Sequence, residues 1–129
     1  MDYNQYNWQH KTILIADDDL LSRKYFAKVL ASTKVGLVFV KNGKEAIDYC
    51  CDHPLADLVL MDIKMPIKDG LTATKEIKKN CPEVPIIIQT AYAFDYDKAN
   101  AMASGSDEFI TKPIHREELF LLLEKYLGS

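Results

Sequence analysis

Residues Ala56 to Gly70 read ADLVLMDIKMPIKDG. The apolar run Leu58-Val59-Leu60-Met61 stops abruptly at a carboxylate, Asp62, with no polar lead-in. Such a run is the pattern of a strand covered on both faces, as in a parallel sheet with helices above and below. Ligands bind at the carboxyl ends of strands in these sheets, so Asp62 stands at a site mouth by position alone. Pro66 cannot continue a strand ladder and must turn the chain. Gly70 is expected to supply the backbone freedom that a tight turn needs just before the next helix.

The rest of the chain repeats this strand-then-helix pattern. Upstream, Thr12–Ala16 is a strand ending in Asp17-Asp18-Asp19, followed by a helix from about Leu20 to Ser32 with Phe26, Val29 and Leu30 inward. Leu21 and Tyr25 fall toward the edge of that inward face. Lys34–Val40 is a strand closed by the turn signal Asn42-Gly43, and Lys44–Asp52 is a helix with Ala46, Ile47 and Cys50 inward. Downstream come a helix over Leu71–Asn80 and a strand over Pro85–Gln89 that leads into Thr90-Ala91. A weaker helix over Asp95–Ala103 and a short strand over Glu108–Ile110 lead to Thr111-Lys112-Pro113. The last helix, His115–Leu127, carries Leu119, Leu122, Leu123 and Tyr126 at core spacing, with Phe120 at the margin and Leu121 opposite. Five strands alternating with five helices imply an α/β fold with right-handed crossovers. The natural arrangement is a flavodoxin-like, doubly wound parallel (βα)5 sheet of strand order 2-1-3-4-5, whose switch point lies between the first and third strands.

Bulk properties narrow the function. A chain of 129 residues makes one domain, and 48% hydrophobic with 27% charged residues excludes extended disorder. A net charge of -3 argues against direct nucleic-acid binding. No apolar stretch approaches the roughly 18 residues that a membrane helix needs, so no membrane contact is expected. The opening MDYNQYNWQHK lacks the features of a secretory signal. Residues 1–10 read as a polar tail or linker remnant and residues 11–127 as the domain, with no output domain after it. Cys50, Cys51 and Cys81 have no metal spacing and fit reduced thiols of a cytoplasmic protein.

Four strand ends are polar, and a parallel sheet brings them to one edge: Asp17 and Asp18, Asp62, Thr90, and Lys112. Clustered carboxylates repel and favour a cation among them. Magnesium, which takes carboxylate oxygens and keeps several waters, suits the set. Carboxylates, a hydroxyl and a lysine around such a cation are what phosphoryl transfer requires, and an Asp carboxylate can itself be the nucleophile.

In these residues the sequence resembles the receiver domains of two-component response regulators. The matching features are Asp17-Asp18, Asp62 with Met65-Pro66 and Gly70, Thr90-Ala91, and Phe109 three residues before Lys112-Pro113. The resemblance implies that Asp62 accepts a phosphoryl group from a phosphohistidine donor, a histidine kinase or histidine phosphotransfer domain, without the protein being a turnover enzyme. It implies magnesium, with manganese as a substitute, ligated by Asp18, Asp62 and the Lys64 backbone carbonyl, and by Asp17 through water. Lys112 would neutralise phosphoryl oxygens. Thr90 and Ala91 would bind the phosphoryl group, and Phe109 would change rotamer on the helix 4, strand 5, helix 5 face, which is also a candidate homodimer face. The Lys112-Pro113 bond is expected to be cis. Lys64 and Tyr92 occupy positions that tune hydrolysis of the phosphoryl group. Leu21, Tyr25 and Leu121 suit a partner face. The chain reads as a stand-alone receiver or one excised from a longer regulator, including the cytoplasmic part of a membrane-bound hybrid kinase.

Two other functions compete. A haloacid-dehalogenase-type phosphatase would use Asp17 of Asp17-Asp18-Asp19 as nucleophile, but the chain is short and lacks a late acidic pair. A flavin mononucleotide binder needs a loop rich in Gly, Ser or Thr after the first strand, and here that loop is acidic and repels phosphate.

Overall fold

The computed structural model describes residues 3–52, 56–91 and 95–128. Five strands form one parallel sheet in the order β2-β1-β3-β4-β5: β1 (Thr12–Ala16), β2 (Gly36–Val40), β3 (Leu58–Asp62), β4 (Ile86–Thr90) and β5 (Glu108–Thr111). Five helices alternate with them: α1 (Leu20–Leu30), α2 (Gly43–Asp52), α3 (Gly70–Asn80), α4 (Asp95–Ala103) and α5 (Arg116–Leu127). This is the doubly wound fold read from the sequence. All five residues of β3 and of β4 are buried, as central strands covered on both faces must be.

Side-chain alternation sorts the core into two layers. Ile13, Ile15, Leu58, Leu60, Ile87 and Ile110 pack against Phe26, Val29 and Leu30 of α1 and Leu119, Phe120 and Leu123 of α5. Leu14, Ala16, Val59, Met61, Ile86 and Ile88 face the other way, against α2, α3 and Ala101 of α4. The layers explain the apolar strands β1, β3 and β4, both faces of which are covered.

Side-chain caps set the starts of α2 and α3. Asn42, read as part of a turn, accepts a hydrogen bond from the Glu45 amide at 2.8 Å, and the Glu45 carboxylate accepts one from the Lys41 amide at 2.6 Å. This reciprocal pair starts α2 at Gly43. Asp69 accepts from the Thr72 amide at 2.8 Å and starts α3.

The N-terminal residues differ from the reading as a polar tail. Tyr6 and Trp8 are each only 3% exposed and belong to the core layer of α1 and α5. Trp8 donates its backbone amide to the Thr33 carbonyl at 2.7 Å and its indole N–H to the Gly128 carbonyl at 2.9 Å. The Tyr6 hydroxyl donates to Glu124 at 2.7 Å, and the Arg116 guanidinium lies 4.4 Å from the Tyr3 ring centroid. The segment thus runs along α5 as a strap. It covers Phe120, which is fully buried rather than marginal, with the Tyr3, Tyr6 and Trp8 rings 4.6 to 5.9 Å from it. The aromatic residues were scattered without period, so no sequence pattern marked them as core.

Truncating Trp8 removes a large buried ring and an indole hydrogen bond. Trp8→Ala is expected to lower unfolding stability by about 3–5 kcal/mol in urea titration, as for other buried Trp truncations. A loss near zero would mean the strap does not contribute to the fold.

Candidate functional site

The sheet assembles the site at its carboxyl edge. The pairing Ala16↔Met61 sets Asp17, one residue past β1, beside Asp62, the last residue of β3. The Asp17 amide continues the ladder by donating to the Val40 carbonyl at 3.0 Å. One carboxylate oxygen from each of Asp17, Asp18 and Asp62 lies within 4.8 Å of the others. Asp17 is fully buried, Asp62 nearly so, and Asp18 is exposed.

Lys112 supplies the counter-charge. Its amide donates to the Thr90 carbonyl at 2.7 Å, which carries the β4–β5 ladder one residue beyond β5. From there its side chain crosses β4. Its Nζ lies 3.4 Å from Asp62 Oδ2 and 3.6 Å from Asp17 Oδ2. Residues 50 apart in sequence meet because the strand order 1-3-4-5 lays them side by side.

Burial raises the pKa of the Asp62 carboxyl above its ordinary value, the nearby Lys112 ammonium pulls it down, and Asp17 pushes it up. The net shift is upward, so the lysine does not fully offset burial and the second carboxylate. The buried Asp17 Oδ2 has no hydrogen-bond partner. An oxygen-only donor set, with one buried oxygen held by the Lys112 ammonium at 3.6 Å and by no hydrogen bond, fits a hard divalent cation such as magnesium. Asp19 stands apart from this cluster at the start of α1, where its carboxylate accepts from the Ser22 hydroxyl at 3.0 Å. That bond, first among several contributions, holds its pKa below the usual carboxylate value.

Gly70 is required for a reason other than turn freedom. Its amide donates to the Ile63 carbonyl at 2.8 Å, and a Cβ at this position would lie 1.9 Å from the Asp62 carbonyl oxygen. The residue that holds a left-handed backbone in this loop is Ile67, with φ 68°, and its side chain is 78% exposed. A β-branched residue in that conformation is a true outlier. Strain of this kind collects at ligand clamps and switch regions. The sequence signal was an isoleucine directly after Met65-Pro66, which reading by apolar pattern passes over.

Thr90 is buried as the last residue of β4. By alternation it faces the layer that contains Ile88, and Phe109, half-buried, packs on that layer too. Ala91 and Lys64 are exposed, the Lys112–Pro113 bond is cis, and Tyr92 lies outside the described residues. Leu21 is 75% exposed. Tyr25 is half-buried with its hydroxyl donating to the Ile114 carbonyl at 2.7 Å. Both line a shallow depression with Lys112, Pro113 and Ile114. Leu121 is exposed on α5. The structure therefore brings together Asp17, Asp18, Asp62 and Lys112. It adds Gln89, buried on β4 beside Asp62, with neither amide atom hydrogen-bonded.

Comparison with known proteins agrees with this geometry. Residues 13–124 match the family described as response regulator receiver domain. The chain is 34% identical over 123 residues to two-component system protein A of Emericella nidulans, with 92% of this chain but 18% of that protein covered. It is 32% identical over 121 residues to the polar-differentiation response regulator DivK of Brucella anthropi, with 92% and 98% covered. A crystal structure of the receiver domain of a Pseudomonas aeruginosa sensor histidine kinase, with a magnesium ion coordinated in its active-site cleft, superposes with a TM-score of 0.83. That structure has 31% sequence identity, with 92% of this chain and 98% of that one covered. The haloacid-dehalogenase reading, with Asp17 as nucleophile, finds no support in these matches. An acidic cluster at the carboxyl edge of a 2-1-3-4-5 sheet, a lysine reaching it from β5, and a family match across most of the chain agree: this chain belongs to the response regulator receiver domain family.

Proposed function

We propose that Asp62 is the phosphoacceptor. The observation that carries this is the Lys112 ammonium resting 3.4 Å from Asp62 Oδ2 beside the acidic cluster. A carboxylate oxygen of Asp62 attacks phosphorus of a donor phosphohistidine as the P–N bond breaks, and the imidazole leaves with the bonding electrons. Receiver domains take phosphoryl groups from histidine kinases or phosphotransfer proteins, and such a protein is the donor here. Asp17, Asp18 and Asp62, with the Lys64 carbonyl, would hold a magnesium ion that neutralises both the carboxylates and the arriving phosphoryl oxygens; manganese would serve in its place. Lys112 then turns from carboxylate to phosphoryl oxygen.

Thr90 and the Ala91 backbone bind the phosphoryl group, and Phe109 follows Thr90 because both face the same layer. This repacks the α4, β5, α5 face, through which a homodimer is one output. Moving a two-state switch from 1:99 to 99:1 takes about 5.5 kcal/mol. One hydroxyl and one lysine contact, at about 1.5–3 kcal/mol each, approach that. The setting is cytoplasmic, and among the described residues no helix is long and apolar enough to cross a membrane. The chain is a signalling module rather than a turnover enzyme, with Lys64 and Tyr92 at the sequence positions that tune hydrolysis of the phosphoryl group.

The exposed Leu20, Leu21 and Ile67, with Tyr25, form the donor-facing surface around the acids. An exposed isoleucine in a left-handed conformation favours a partner that buries it.

Three outcomes test this reading. Mass spectrometry after acetyl phosphate and magnesium should place one phosphoryl group on Asp62 and none on the Asp62→Asn protein, whereas label on Asp17 would restore the phosphatase alternative. The second outcome concerns stability. A carboxyl whose folded pKa is raised contributes stability below its unfolded pKa that is lost as pH rises through the folded value. Without divalent cations, Asp62→Asn should therefore melt higher than wild type at neutral pH, and the gap should close on acidification below the carboxylate range. Magnesium should raise the wild-type melting temperature more than that of the variant; equal responses would count against the site. Third, Leu21→Ala and Tyr25→Ala should slow transfer from a phosphohistidine donor but not from acetyl phosphate. Ile67→Asn should do the same while gaining about 1 kcal/mol of stability, since Asn tolerates the left-handed region. Equal slowing with both donors would remove the docking role.

A further inference from the structure

Gln89 is fully buried, yet neither Oε1 nor Nε2 of its side-chain amide has a hydrogen-bond partner. Leaving a buried donor and acceptor unpaired is destabilising, whereas an apolar side chain of similar shape avoids that penalty. The other residues of β4 up to this point, Ile86 to Ile88, are isoleucines. An amide at the next position needs a reason.

Its place in the sheet supplies one. Gln89 is the Cα partner of Asp62 across β3 and β4, and neighbouring strands lie about 4.8 Å apart. Alternation fixes the side toward which it projects. Ile87 packs in the α1 and α5 layer, while Ile86 and Ile88 pack in the other, so Gln89 shares the α1 and α5 side. By the same count Leu58 and Leu60 put Asp62 on that side, Ile13 and Ile15 put Asp17 there, and Ile110 puts Lys112 there. Lys112 starts beyond β5 and ends 3.4 Å from Asp62 at the end of β3, so its side chain spans β4. Gln89 is the β4 residue at that level on that side. Its amide is therefore buried at the level of Asp62, on the side of the sheet that the Lys112 side chain crosses.

We propose that Gln89 is a positioning residue for phosphoryl transfer. When Lys112 swings to the arriving phosphoryl oxygens, Nε2 of Gln89 donates to the Asp62 carboxyl oxygen that does not bond phosphorus. Oε1 accepts from the Lys112 ammonium and holds it in its new place. Gln89 touches neither donor nor phosphorus, and its two unpaired atoms find partners only in the loaded site. The inference rests on Asp62 being the phosphoacceptor.

The test compares wild type with Gln89→Leu in the full chain. The side-chain amide resonance of Gln89, identified by its loss in the variant, is followed by NMR with magnesium alone and with magnesium plus beryllofluoride, a phosphoryl mimic. Phosphorylation by acetyl phosphate and thermal melting are measured on both proteins. The amide resonance should move on adding the mimic. The variant should melt at or above the wild-type temperature yet be phosphorylated about tenfold more slowly, the effect of one hydrogen bond to a charged group. An unmoved amide resonance, or a folded variant phosphorylated at the wild-type rate, overturns the role of Gln89 while leaving Asp62 in place. If the variant does not fold, the Gln89 amide resonance is assigned by through-bond correlation in the wild type, and its response alone decides. Wild type that takes no phosphoryl group on Asp62 overturns both.

Discussion

Like charges held together by the backbone dominate this molecule. Asp17 and Asp62 are fixed by a parallel ladder that neither can leave, Asp18 follows directly, and their oxygens stay within 4.8 Å. At Asp62 the Lys112 ammonium outweighs the repulsion from Asp17, and burial, the largest contribution, keeps the carboxyl pKa raised. A buried carboxylate beside a second one favours a cation close by, and the oxygen donors present suit a hard divalent one.

The departures from ordinary packing gather at the same edge of the sheet. Gly70 approaches the Asp62 carbonyl more closely than any Cβ allows. Ile67 holds a left-handed backbone with its side chain in solvent. Gln89 buries an unpaired amide beside Asp62. Away from this edge lie two apolar layers, side-chain caps on α2 and α3, and an aromatic strap that ties the N-terminal residues to both ends of α5. The layers hold the register, and the register holds the unfavourable arrangement at the edge.

Much of this was legible in the residues. Short continuous apolar runs bounded by turn signals read as strands buried on both faces, and their alternation with amphipathic helices leaves few topologies. Boundaries moved by one or two residues where a cap or a ladder bond extended an element: Asn42 acts as the cap of α2 and not as a turn, and Asp62 and Thr90 are the last residues of their strands. Tyr6 and Trp8 escaped because the N-terminal segment has no period, and they pack on Phe120, a residue more than a hundred positions away.

The sequence by itself determined the strand order and which strands end in acids, a hydroxyl or a lysine. Those follow from local pattern, since each strand end is marked within a few residues. Tertiary structure decided what pattern cannot carry: that Lys112 reaches past one strand to Asp62, that Gly70 is needed for contact and not for φ, and that Gln89 buries an unpaired amide on the strand beside Asp62. Each depends on a distance across strands, and such distances exist only once the ladder has set its register.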